Sequence, residues 1–264
     1  MIINFHTHIF PDSLAPRAVA SLLESAHSEY TPVSDGTASG LIREMDGAGI
    51  DKSVIMPVIT KRSQTQKSNE FAASVQGERI IAFGGIYPSE NYKEDIDFVV
   101  SLGLKGIKLH AEYQDFIVDS PEMLHLYDYA FSKGLIIMQH AGYDPAYKPP
   151  FRSNPQMFAN VAKQMKGGIM IAAHLGGQRQ WDDVEKYIVG TDIYIDTSMG
   201  FSYYPKEQFI RIVKNHGADK ILFGTDSPWS VAADEKKTLE NLPLPDSEKR
   251  AIFGENAIRI LNIK

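Results

Sequence analysis

An α/β fold, a single (β/α)₈ barrel of the TIM type with C-terminal helices, is what this sequence predicts. Three observations carry the prediction. Short β-rich apolar runs alternate with longer amphipathic stretches from end to end, the pattern of parallel βα units. Glycines fall where the helices should stop and the strands begin: Gly49, Gly103, Gly134, Gly167-Gly168 and Gly217. No linker, low-complexity segment or shift of composition divides the 264 residues, and one barrel of this kind takes about 250. Residues 1–264 therefore read as one domain.

Eight apolar runs can be assigned as strands: Ile2 to His6, Ser53 to Pro57, Ile80 to Gly84, Gly106 to His110, Leu135 to His140, Ile169 to His174, Ile193 to Thr197 and Ile221 to Thr225. Between them, Ser39 to Ala48, Ser68 to Gln76, Tyr92 to Leu102, Pro121 to Ser132, Gln156 to Lys166 and Lys206 to Asn215 carry apolar residues at helical spacing with charges opposite. Asp246 to Phe253 and Glu255 to Leu261 read as terminal helices. A doubly wound open sheet competes, but it would more often place a glycine-rich phosphate loop after the first strand. Here that position holds His-Thr-His-Ile-Phe-Pro.

Composition narrows the partners. With 27 basic against 33 acidic residues, a formal charge of −6 and no basic run, nucleic acid is a poor fit. The absence of cysteine leaves only imidazole, carboxylate or a modified side chain to hold a metal. Neither a signal peptide nor a bilayer-spanning run is visible, so the expectation is a soluble cytoplasmic protein with no membrane partner. Its partner should be a small-molecule substrate; assembly into a homo-oligomer is left open.

Alternation along the first strand sets Asn4, His6 and His8 on one inward face and Ile3 and Phe5 on the other. A lone His-x-His occurs by chance, and its ordinary reading is a pair of hydrogen-bonded histidines. The positions of the other candidates change that. His140 ends the fifth run, His174 the sixth, and Asp226 follows the eighth, all at the strand ends where barrel active sites form. His6, His8, His140 and Asp226 are the expected ligands of a divalent ion. Zinc suits these donors best, and Mn²⁺, Fe²⁺ or Ni²⁺ would suit them too, as one ion or two. Asp226 is placed to take a proton from an activated water. His174 is either a ligand of a second ion or an acid that polarises the substrate.

Lys108 is the least ordinary residue, because alternation turns it into the barrel, where an unpaired ammonium is costly. Three roles compete: an ion pair with a core carboxylate, a grip on an anionic substrate, or a carboxylated bridge between two metals. His110 lies one step higher on the same face. Asp196, Ser198, Arg152, Arg179 and Trp181 are weaker candidates near strand ends, and His27, His125 and His216 default to surface positions.

These motifs, in this order, resemble the amidohydrolase superfamily, and within it the amidohydrolase-related branch that includes aminocarboxymuconate semialdehyde decarboxylase. The similarity runs the length of the chain: His6-Thr7-His8-Ile9-Phe10-Pro11, Met45-Asp46-Gly47-Ala48-Gly49-Ile50-Asp51, Gly106-Ile107-Lys108, His174-Leu175-Gly176-Gly177, Gly224-Thr225-Asp226-Ser227-Pro228 and Asn256-Ala257-Ile258-Arg259. The resemblance implies a metal-dependent enzyme with His6, His8, His140 and Asp226 as ligands, His174 catalytic and Asp226 engaging the water. Asn4 departs from it, since the family often has an acid there. Because the chain is short for the branch's decarboxylases, the expected reaction is hydrolysis of a C–N or C–O bond in a small cyclic or acyl substrate. Decarboxylation of a small unsaturated or aromatic acid is the alternative, and a non-catalytic ligand-binding barrel comes third.

Overall fold

The computed structural model describes residues 1–165 and 167–264. Its strands are β1 (Ile3–Thr7), β2 (Lys52–Ile55), β3 (Ile80–Ala82), β4 (Gly84–Gly85), β5 (Gly106–Leu109), β6 (Ile136–Gln139), β7 (Ile169–Ala172), β8 (Tyr194–Asp196) and β9 (Ile221–Leu222). Every pairing is parallel, in two ladders ordered β1-β2-β3 and β4-β5-β6-β7-β8-β9. The ladders are two arcs of one ring. β3 and β4 are a single run interrupted at Phe83, whose N–H still donates to the Ile55 carbonyl. At the other seam Phe5 N–H donates to Phe223 O (2.7 Å), Asp226 N–H to His6 O (2.8 Å) and His8 N–H to Ser227 O (2.7 Å), with Thr7 and Ser227 bridged in parallel. Eight staves result, each falling on one of the predicted runs.

The predicted helices are present with small shifts of their ends: α2 (Ala38–Ala48), α3 (Thr65–Val75), α4 (Tyr92–Ser101), α6 (Pro121–Ser132), α7 (Pro155–Gln164) and α9 (Lys206–His216). Lys166, predicted to end α7, lies outside the described residues. Gly49, Gly103, Gly134 and Gly217 all take positive φ, which ends a helix without strain on a side chain. The pattern did not disclose α1 (Ala15–Ser25), α5 (Ala111–Gln114), α8 (Trp181–Tyr187) or α10 (Ala232–Asn241). The two predicted terminal helices are one continuous run, α11 (Asp246–Arg250) joined to α12 (Asn256–Leu261) through a π-helical turn, Ala251–Glu255. No helix among the described residues is long and apolar enough to cross a membrane.

Strand side chains divide between two apolar clusters. Ile107, Leu109, Ile137, Ala172, Ile195 and Phe223 pack outward against the helices. Ile3, Phe5, Val54, Met56, Phe83, Met138, Ile171 and Leu222 fill the barrel, and Ala257 and Leu261 of α12 join them at its lower end. This corrects the reading of β1, in which Ile3 and Phe5 were to face away from the histidines. A register irregularity between Asn4 and Thr7 changes the phase of the strand, as a bulge does, so Phe5 and His6 both serve the interior. Asn4 stitches the seam instead: its Nδ2 donates to Thr225 Oγ1 (2.8 Å) and its Oδ1 accepts from Thr225 N–H (3.0 Å). His216 is a second correction. It is buried, with Nε2 donating to Ile193 O (2.9 Å) and Nδ1 accepting from Gly190 N–H (3.2 Å).

The closing motif ties the terminal helix to the last stave. Buried Asn256 donates through Nδ2 to Ala218 O (2.7 Å) and Ile221 O (2.8 Å), and its Oδ1 accepts from Arg259 Nη1 (3.0 Å). Asn256→Ala would orphan two carbonyls, at a cost of about 2 kcal/mol. The expected outcome is a lower urea midpoint with metal content per folded molecule unchanged.

Candidate metal centre

Above the apolar filling, the upper layer of the barrel is polar. His6, Lys108, His110, His140, His174, Asp196 and Asp226 are all buried there, on different staves or just beyond their ends. Gly224 makes the crowding tolerable: a Cβ at this position would meet His6 Cβ at 3.0 Å and Asp196 Cγ at 3.4 Å.

Asp196, fully buried, organises this layer. Its Oδ2 lies 2.7 Å from His6 Nδ1, and its Oδ1 accepts from His174 N–H (2.9 Å), Ser198 N–H (3.0 Å) and Ser198 Oγ (2.5 Å). Burial alone would push this carboxyl up, but attraction to His6 and the donated hydrogen bonds hold it down at about 2. A carboxylate only accepts, so His6 donates through Nδ1 and its Nε2 carries the lone pair. His8 is set the same way by the Met56 carbonyl, 2.7 Å from its Nδ1. Ser198, having given its proton to Asp196, accepts from His174 Nδ1 (2.8 Å). His174 Nε2 is then an acceptor, filled by His140 Nδ1 at 3.1 Å. The proton order ends at His140 Nε2, which is buried and has no hydrogen-bond partner among the described residues.

The consequence is a concentration of unprotonated donors. His6 Nε2 and His8 Nε2 lie 3.2 Å apart, and Asp226 Oδ1 is 3.3 Å from the first and 3.0 Å from the second. Lone-pair atoms facing one another repel; the Lys108 ammonium, 3.0 Å from His6 Nε2, meets one of the three, and a cation among them would satisfy all. Burial and then the Lys108 ammonium hold His6 below its ordinary value, so its ring is neutral near pH 7. Burial pushes Asp226 up, but His6 and His8 draw its carboxyl far below the usual carboxylate range. Neutral imidazoles with second-nitrogen partners, plus an ionised carboxylate, are the donor set a divalent ion requires. The residues fit one.

Where the remaining candidates fall is less uniform. The donor atoms of His6, His8 and Asp226 all lie within 4.8 Å of one another, whereas His140 groups with His110 and Asp144 on the same span. That second group is a stack: the His110 and His140 rings are 4.0 Å apart and tilted by 12°, so their in-plane lone pairs run parallel instead of converging. Burial, then His110 and His174, hold His140 well below its ordinary value. Burial likewise holds His174 down at about 3.

Lys108 makes no ion pair within 4.0 Å among the described residues. Its Nζ donates to His6 Nε2 at 3.0 Å, and burial lowers it to about 8, against the pull of Asp226 and Asp196. Arg152 and Arg179 are committed elsewhere, to Asp115 (2.7 Å) and Glu29 (2.5 Å). Trp181 supports the site from behind, its Nε1 donating to His174 O at 3.3 Å. Asp144 and Tyr113 had no mark in the sequence. Asp144 Oδ2 is 3.3 Å from His110 Nε2, and Tyr113 stacks on the His110 ring at 4.0 Å. Asp144 lies in a loop and Tyr113 in the single-turn helix α5, and segments so short show no periodicity, which is why neither stood out.

A cavity of about 500 Å³ opens onto this layer, lined by His6, His8, Lys108, His140, His174 and Asp226 at its floor. Asp196→Asn keeps the volume but lets the His6 tautomer reverse, and supporting residues of this kind are worth roughly 10- to 100-fold in metal affinity. Competition with a chromogenic chelator should register that loss.

No curated protein matches the chain in sequence. Solved structures do match in fold. The 5-carboxyvanillate decarboxylase of Sphingomonas paucimobilis superposes with a TM-score of 0.74 at 14% identity, over 100% of this chain and 99% of that one. The 2,6-dihydroxybenzoate decarboxylase of Rhizobium gives 0.70 at 16%, over 99% and 98%. The 5-carboxyvanillate decarboxylase of Novosphingobium aromaticivorans, a D314N mutant solved with manganese and 3-methoxy-4-hydroxy-5-nitrobenzoic acid, gives 0.71 at 12%, over 100% and 97%. At such identities the likeness speaks for the (β/α)₈ barrel. A sequence model decides the lineage: it matches residues 3–263, nearly the whole chain, and with it the barrel-mouth histidines and aspartate acquire their context, for the protein belongs to the amidohydrolase family of enzymes.

Proposed function

We propose that this protein is a metal-dependent decarboxylase of carboxylated, largely apolar ring substrates. The observation that carries this reading is the distribution of polarity in the cavity. The histidines, Lys108 and Asp226 are gathered at the floor, while Ile9, Phe10, Met56, Val58, Phe71 and Trp229 furnish apolar wall. Such a site suits a substrate with one anionic head and an apolar body. Hydrolysis was preferred from chain length alone, and that preference loses its basis beside decarboxylases aligned over 98–99% of their own chains.

A divalent ion held by His6, His8 and Asp226, with His140 as the further donor, would act as a Lewis acid toward the substrate's oxygen. Lys108 pairs with the substrate carboxylate. As the bond from ring carbon to carboxylate breaks, its electron pair stays on the carbon, carbon dioxide leaves, and the carbon takes up one proton. His174 is placed to relay that proton from solvent and not to store it, since burial holds its imidazolium down at about 3 while Ser198 at its Nδ1 fixes the ring. The apolar walls exclude water from the developing carbanion. Zinc and manganese are the ions to load first.

Hydrolysis is the second reading, supported by the placement of Asp226, whose Oδ1 lies 3.3 Å from His6 Nε2 and 3.0 Å from His8 Nε2 and so beside any water that an ion held there would activate. A panel of aromatic and unsaturated monocarboxylates, assayed for carbon dioxide release by the metal-loaded protein, separates the two. Turnover confined to lactones or amides would sink decarboxylation. Chelator-stripped protein should be inactive and recover on reloading.

Lys108→Met should cost roughly 100-fold in kcat/KM, the equivalent of about 2.7 kcal/mol, with metal content unchanged. The ammonium is present below about pH 8 and lost above it. Carboxylate affinity in the wild type should therefore weaken as pH rises through 8, and the variant should lack that limb.

A further inference from the structure

Helix α1 is unusual among the helices of this barrel. Helices α2 to α10 each bury apolar side chains in the layer against the strands, but Leu14, Ala18, Val19, Leu22 and Leu23 of α1 belong to neither hydrophobic cluster. Within the helix only Ala15 is buried, and Leu14, at its N-cap, is 54% exposed. An amphipathic helix ordinarily gains its stability by burying that face. Here the face is turned to the cavity: Leu14, Ala18, Leu22 and Ala26, four residues apart, line it as one stripe, with Ser21 beside them. Phe10, Met56, Val58, Phe71 and Trp229 also line the cavity, and the same space is continuous with the polar floor. At about 500 Å³ it is several times the roughly 150 Å³ that encloses a benzene.

We infer that the substrate is a monocarboxylate whose ring bears an uncharged apolar extension, and that the stripe of α1 is the wall that receives this tail. The tail supplies the apolar surface that the helix does not find in the protein core. The stripe carries no charge, and Lys67, the lining cation outside the floor, is solvent-exposed. A second carboxylate at the far end would therefore leave α1 uncovered and lose its own hydration against apolar groups. The inference rests on the proposed function only through the carboxylate head; it does not depend on which bond is broken.

Calorimetric binding of three probes to the metal-loaded full chain tests it without turnover: benzoate, 4-butylbenzoate and terephthalate. Burial of the butyl carbons should make 4-butylbenzoate bind at least roughly tenfold tighter than benzoate, and terephthalate should bind no tighter than benzoate. Leu22→Asp, at a half-buried helix position, should bring the butyl-to-benzoate ratio near one while benzoate binding stays within about twofold. Ala18→Trp should do the same by filling the space. Equal affinity for the two benzoates, a preference for terephthalate, a ratio unmoved by both variants, or no binding of any probe would each overturn the inference. A protein that keeps the butyl preference yet releases no carbon dioxide retains this inference and loses the decarboxylase reading; carbon dioxide release without the preference does the reverse.

Discussion

The buried carboxylate of Asp196 sets the protonation of much of the upper layer. It is fully buried, and both of its oxygens are met by groups of the protein: His6 on one, the His174 and Ser198 amides and the Ser198 hydroxyl on the other. Because a carboxylate can only accept, each contact dictates where a proton sits. The orientation passes from Asp196 to His6, and through Ser198 to His174 and His140. What reaches the cavity is a group of nitrogens stripped of protons and held in place before any ion arrives. Assembling a metal site costs less when the ligands need not be deprotonated or reoriented.

The strand seam and the site are one construction. His6 and Asp226 are joined by backbone across the first and last staves, since Asp226 N–H donates to His6 O. Asn4 and Thr225 reinforce the same junction one step lower. Any loosening of barrel closure would part the two candidate ligands whose donor atoms lie 3.3 Å apart. On the far side, Glu112 accepts from Arg152 N–H (2.8 Å) and Ser153 Oγ, fastening the loop after β6 to the segment after β5. The stretch from Asp144 to Asn154 is thereby anchored close to the His110 side of the floor. The apolar stripe of α1 lies outside both hydrophobic clusters, whereas the floor is tied into the strand ends, where charges must be placed to fractions of an ångström.

Much of this was legible in the chain. Period-2 apolar runs separated by period-3.6 stretches and glycine stops disclosed eight staves, because both periodicities follow from backbone geometry alone. His6, His8, His140, His174 and Asp226 stood out since packing gives no reason for such residues at successive strand ends. The phase of β1 was misread because a bulge inserts a shift that no alternation rule anticipates. Asp196 was undervalued for a different reason: a lone aspartate at the end of a strand gives no sign of its role until its neighbours are known. α1 went unassigned although Leu14, Ala18, Leu22 and Ala26 recur at helical spacing; what no spacing conveys is that this face lines a cavity and not the core.

Local chemistry, then, determined the secondary structure, the barrel order, the absence of thiolate ligands and the identity of the polar residues at the mouth, all of which depend on residues close in sequence. Tertiary structure decided which of those residues meet. The pairing of His6 with Asp196 spans 190 positions and that of Lys108 with His6 spans 102. It also decided the separation of His140 from the His6, His8 and Asp226 group and its stacking on His110. Such contacts arise from the curvature of a closed sheet, which brings every stave to a common axis, and a linear pattern carries no measure of distance across it.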